Sequence, residues 1–168
     1  MRCRVWGTKQ RISCSPPSRT ASRASPSFRR PPWLPPSKQT VVALCVYPHS
    51  PDASIQMLNF LRGPRPLNGQ EISFIRDRFR AKDYVPRSYF SGATPQNDYT
   101  PQQPYTIRVI ADHNSFLTQG MAKLFIPSGG ADSPRPIQLR EAKDGKWYLW
   151  EQFLLTDIRQ PESANPWA

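Results

Sequence analysis

The dipeptide Asp144-Gly145 constrains this chain more than any other feature. It lies between Ile137-Gln138-Leu139 and Trp147-Tyr148-Leu149, two runs that alternate apolar and polar residues. Asp-Gly between alternating runs marks a β-hairpin. Strand side chains alternate between faces, so the register can be read from them. A two-residue loop would pair Leu139 with Trp150 and Arg140 with Leu149, setting an apolar residue beside a charge. A three-residue loop, Lys143-Asp144-Gly145, pairs Leu139 with Leu149 and Glu141 with Trp147. Ile137, Leu139, Trp147 and Leu149 then share one core-facing side. The three-residue loop is therefore expected, with Gly145 in the left-handed conformation that glycine adopts without steric cost.

Two further strands are expected upstream. Over residues 105–112, Ile107 and Val109 alternate with Thr106 and Arg108, and residues 121–127 form an apolar run. The Gly- and Pro-rich residues 128–136 connect this run to the hairpin. The sheet is thus expected to be antiparallel and four-stranded.

Helical signals precede it. Ser50-Pro51-Asp52 reads as a helix start, with an N-cap serine, a proline in the first turn and an acid near the positive dipole end. Either Ile55, Leu58 and Leu61 or Met57 and Leu61 give the helical stripe, and Gly63-Pro64 ends it. Asn68 with Glu71 has the spacing of a capping box. It opens a second helix to about residue 81, with Ile72, Ile75 and Phe79 inward and Arg76, Arg78, Arg80 and Lys82 on a solvated face. The apolar run 41–46 fits either a buried strand or a truncated helix. The fold class is α+β: two to three N-terminal helices, then a small four-stranded antiparallel sheet. Residues 83–104 form a long loop. Its aromatic residues Tyr84, Tyr89, Phe90 and Tyr99, with Tyr105 just beyond, are expected to pin it to the core. Residues 153–158 are expected to add one closing turn.

The net charge of +11 first suggests nucleic acid, but its distribution removes the suggestion. Residues 1–38 carry nine Lys or Arg and no acid, whereas fourteen bases face twelve acids beyond them. Any nucleic-acid affinity would belong to that arm. Seven prolines and seven serines complete its composition, which has no core to bury and is expected to be disordered. It reads as a basic arm, as a targeting peptide, or as the product of a G+C-rich gene translated out of frame. Pro31, Pro32, Pro35 and Pro36 weigh against a helical targeting peptide. The out-of-frame reading is preferred. The folded domain is expected over residues 40–161, with a tail from 162 to 168. Cys3, Cys14 and Cys45 lack metal-ligand spacing, and no apolar stretch reaches membrane-spanning length. A reducing, cytoplasmic setting without a membrane partner is expected.

Candidate sites are few. His113 lies between Asp112 and Ser115, but neighbours in one loop rarely converge as a catalytic triad, so a polar turn is expected. His49 reads as part of a turn. Asp132-Ser133-Pro134-Arg135-Pro136 is the most specific polar cluster. Asp132 and Ser133 suit a turn, and Arg135 is held between prolines. Its guanidinium either anchors a carboxylate or phosphate ligand or pairs internally with Glu141, Glu151 or Asp157. Arg87, Tyr89, Trp150 and Arg159 are the candidates to line a pocket with it, although the same composition suits an ordinary loop packed on a sheet. Gly129-Gly130 precedes no phosphate-binding Lys-Ser or Lys-Thr pair, and no cofactor motif is present. A non-enzymatic binding or scaffold module with a protein partner is the preferred function. The alternatives are a small-pocket enzyme using Asp112, His113 or Glu151 as acid or base, and a nucleic-acid binder acting through the arm.

Three stretches carry a resemblance: residues 89–95 (Tyr-Phe-Ser-Gly-Ala-Thr-Pro), residues 130–136 (Gly-Ala-Asp-Ser-Pro-Arg-Pro) and residues 147–155 (Trp-Tyr-Leu-Trp-Glu-Gln-Phe-Leu-Leu). With Asp157-Ile158-Arg159 and Asn165-Pro166-Trp167-Ala168 they resemble a bacterial family whose domain has no assigned function, common in gut Firmicutes. The resemblance covers about residues 40–168. Members of that family open with an acidic, alanine-rich helix, which the basic arm replaces here. This departure supports the out-of-frame reading and leaves the first helix of the family's fold open. The resemblance implies no catalytic residues. The element order is also similar to cone-shaped cystatin-like and nuclear-transport-factor-like folds, an analogy of fold only.

Overall fold

The computed structural model describes residues 34–167, and the out-of-frame reading concerns residues that lie mostly outside them. Three helices come first: α1 (Leu34–Val46), α2 (Pro51–Arg62) and α3 (Gly69–Phe79). Three strands follow: β1 (Met121–Ile126), β2 (Arg135–Glu141) and β3 (Trp147–Gln152), hydrogen-bonded antiparallel in chain order.

The run 41–46 belongs to a helix, and that helix begins upstream of the boundary expected near residue 40. Pro35 and Pro36 fall in its first turn, where backbone N–H groups have no intrahelical partner and proline is tolerated. Ser37, Thr40, Val41 and Leu44 form one buried stripe at helical spacing. Two of these four are polar. The Thr40 hydroxyl is satisfied by donating to the Pro36 carbonyl one turn back at 2.8 Å. The central helix α1 touches α2, β2 and β3. The buried Ser54 of α2 donates to the Ala43 carbonyl of α1 at 2.7 Å.

The helix ends follow the sequence closely. Ser50 precedes Pro51 as N-cap in extended conformation, and Gly63 closes α2 at φ +58°. The Asn68 side chain accepts from the Glu71 N–H, and Glu71 accepts from the Asn68 N–H, completing the capping box. Phe79 stacks on Tyr47 at 4.3 Å, tying α3 to the end of α1.

The hairpin register is the expected one: Leu139 faces Leu149 and Glu141 faces Trp147. Gly145 has φ +76°. Ile137, Leu139 and Leu149 are buried, as are Ala122, Leu124 and Ile126 of β1, so these side chains form the sheet's contribution to the core. Trp147 is only half-buried and packs at the rim of that core. Beyond Leu149 the register shifts, and Gln138 faces Glu151. Trp150 is the extra residue of a β-bulge.

The expected fourth strand, residues 105–112, does not form. Its apolar alternation reports half-burial rather than pairing. Ile107 bridges Phe90, and Ile110 exchanges two hydrogen bonds with Phe125 of β1, at 2.8 and 2.9 Å. The next β1 donor, Lys123 N–H, bonds the Ser115 carbonyl instead. The chain therefore meets β1 at points and does not run beside it. The cystatin-like and nuclear-transport-factor-like analogy goes with that strand.

Candidate functional site

The residues singled out in the sequence fall into three places. Asp132, Ser133, Arg135 and Arg159 lie together where the connection into β2 meets the C-terminal segment. The Arg135 guanidinium donates to the carbonyls of Thr156 (3.1 Å) and Asp157 (2.8 Å) and to the Ser133 hydroxyl (3.1 Å). Its internal partners are backbone carbonyls and a hydroxyl, and Asp157 is met through its carbonyl and not its carboxylate. Arg159 pairs with Asp132 in an exposed ion pair. The Tyr89 ring is buried beneath this cluster, and its hydroxyl donates to the Leu154 carbonyl at 2.6 Å. Burial pushes the Tyr89 phenol well above its ordinary range, although the Arg135 charge pulls the other way. Arg87 is exposed elsewhere, on the 3-10 helix Pro86–Tyr89. Trp150 stands apart on β3.

The glycine pair of the same connection is structural. A Cβ on Gly129 would lie 1.9 Å from the Ala93 carbonyl oxygen, and one on Gly130 would lie 2.1 Å from the Tyr99 hydroxyl. The buried Tyr99 donates that hydroxyl to the Arg159 carbonyl at 2.7 Å, and the Arg159 N–H donates back to the Gly130 carbonyl. The long loop is thus pinned by Tyr84, Tyr89 and Tyr99, with Tyr84 stacked on Tyr99 at 5.5 Å. Tyr105 is the exception and is largely exposed.

His113 is exposed. The Ser115 hydroxyl donates to Asp112 at 3.0 Å and accepts from the Asp112 N–H, closing a polar turn. Among the described residues the imidazole meets the Asn114 amide. Among the described residues no group of three His, Cys, Asp or Glu is placed to hold a metal ion. No described helix is long and apolar enough to cross a membrane.

The sheet's outer side is different in character. Lys123, Phe125, Gln138, Arg140, Tyr148 and Trp150 project there, and none is buried. Next to this face, residues 63–65 turn out of α2. Gly63 lies so close to the Tyr148 ring that a Cβ there would be 2.3 Å from it. The turn carries Arg65 over the Trp150 ring, its guanidinium carbon 4.5 Å from the centroid, and Arg140 reaches the same ring at 4.7 Å. Sequence reading found Trp150 but missed both arginines. The signal for Arg65 was available: Pro64-Arg65-Pro66 repeats the Pro-Arg-Pro pattern of residues 134–136.

Fold and site together define a small α+β domain, with helices and sheet enclosing one core and a half-buried aromatic, basic face on the other side of the sheet. Its sequence gives it a family. The model of a domain of unknown function, DUF6935, matches residues 37–162, and the chain belongs to that family. No curated protein and no solved structure matches it.

Proposed function

We propose that this domain is a non-enzymatic binding module for a protein partner, acting in a bacterial cytoplasm through the outer face of its sheet. One observation carries the reading. The inner side chains of the sheet are buried, whereas the outer side presents Phe125, Tyr148 and Trp150 among Lys123, Arg140 and Gln138, none of them buried. Half-buried aromatics interleaved with arginine are the composition of binding surfaces. The free thiol of Cys45 supports a reducing compartment.

The test is site-specific photocrosslinking of the full chain in cells. A photoactivatable residue replacing Gln138 on the outer face should give a discrete protein adduct. The same residue replacing the exposed Gln56 on α2 should give none. Equal labelling from both positions, or none from Gln138, would remove this reading.

A further inference from the structure

We propose that Arg65 and Arg140 form, around Trp150, a clasp for a carboxylate side chain of the protein partner, an inference that rests on the binding-module reading. A guanidinium stacked on an aromatic ring keeps its in-plane N–H edge for a two-pronged bond to a carboxylate. Both edges are available here. Among the described residues, the Arg140 guanidinium makes no hydrogen bond and has no acid within 4.0 Å. The carboxylate oxygen beside Arg65 is Glu71 Oε1 at 3.9 Å, which Arg62 already engages at 2.9 Å. Arg135, by contrast, spends its donors on three partners inside the fold.

The clasp is also held in place. Pro64 and Pro66 restrict the backbone on either side of Arg65, and buried Arg62 donates its Nε–H to the Arg65 carbonyl at 2.9 Å. The bulge brings Trp150 beside Arg140, and such bulges re-aim side chains at functional positions. Two positive charges on one ring repel each other, and an anion in the cleft that both arginines line relieves that repulsion. The cleft there is about 200 Å³, lined also by Pro64, Tyr148 and Leu149. That is below the roughly 300–1,000 Å³ of small-molecule pockets and fits one side chain. Glu141 lines the same cleft and opposes an anion. Beyond residue 38, fourteen bases stand against twelve acids, a balance that gives no extended positive field for a nucleic-acid backbone. The observations therefore favour a single carboxylate.

The test is NMR of the full chain, reading the indole N–H of Trp150 and the Nε–H of Arg65 and Arg140. Hexaglutamate, inorganic phosphate and a ten-residue oligothymidylate are titrated separately at constant ionic strength. Hexaglutamate should give saturable shifts at all three groups. Arg65→Gln with Arg140→Gln should weaken binding read at Trp150 at least tenfold, and Glu141→Gln should strengthen it severalfold. Shifts at Trp150 that survive the double substitution, or no saturation there, would overturn the clasp. Tighter binding of phosphate or oligothymidylate at the same groups would overturn the carboxylate assignment. If the clasp fails while the Gln138 adduct persists, the binding-module reading stands without it.

Discussion

Arg62 and Glu71 close the corner between α2 and α3: Arg62 Nη2 donates to Glu71 Oε1 at 2.9 Å, with the arginine side chain only 4% exposed. Arg62 is the one buried charge among the described residues. The second carboxylate oxygen of Glu71 accepts the Asn68 N–H of the capping box at 2.9 Å. A single carboxylate thus starts α3 and neutralises the end of α2. Glu71→Ala should lower stability by about 2–4 kcal/mol, since it strands a buried guanidinium and removes half a cap. Glu71→Gln keeps one of the two acceptors, for either Arg62 or the Asn68 N–H, and should cost less. Urea unfolding of the two variants measures the difference.

The glycines make a controlled pair. Gly130→Ala forces a methyl group into the Tyr99 hydroxyl and should destabilise by about 1–3 kcal/mol. Gly69→Ala, in the first turn of α3 with nothing within 4 Å, should be neutral or stabilise by about 0.4–1 kcal/mol. Melting temperatures should move in opposite directions or, for Gly69, not at all. Equal losses would mean that Gly130 does not lie against Tyr99.

Arg135 should behave as a structural residue. Arg135→Ala leaves the Thr156 and Asp157 carbonyls without their charged donor and should cost about 1.5–3 kcal/mol. Arg135→Lys should recover little, because an ammonium cannot reproduce the planar fork that serves both carbonyls. A thermal melt equal to wild type for Arg135→Ala would place its side chain outside the fold.

Alkaline pH should unfold the protein by a definable route. Burial raises the Tyr89 phenol, raises Tyr99 to about 12, and raises the Cys45 thiol from 9.0 to about 11. Each group is held neutral in the fold and ionises earlier when unfolded. The stability they contribute is full below about pH 9 and falls as pH rises from there through about 12. Denaturant midpoints measured from pH 8 upward should decline over that span. Cys45 should react with alkylating agents far more slowly in native protein than in unfolded protein.

The ends of α2 and α3 and the hairpin register were legible because local chemistry decides them: a proline in a first turn, a reciprocal side-chain cap, a glycine at positive φ. The start of α1 was not legible. Its buried stripe opens with Ser37 and Thr40, and its two prolines look like breakers until their place in the first turn is known. The absent fourth strand shows the limit of alternation. Ile107 is buried and Val109 half-buried, yet the backbone at Ile107 bridges Phe90 in the preceding loop and meets β1 only further on, through Ile110. At the candidate site, flanking prolines drew attention to Arg135, whose partners are internal. The same pattern at Arg65 is masked by the role of Pro64 in ending α2. Arg140 carried no signal of its own, since only the bulge sets its neighbour.

That bulge separates two demands on one strand. With Trp150 skipped, Leu149 and Glu151 continue an ordinary antiparallel ladder opposite Leu139 and Gln138. The ladder therefore has no use for residue 150, and a chain lacking it altogether could close the same sheet over the same core. The Trp150 side chain instead meets Arg65 and Arg140 on the outer side of the sheet, so a substitution there alters that face and leaves the framework beneath it in place.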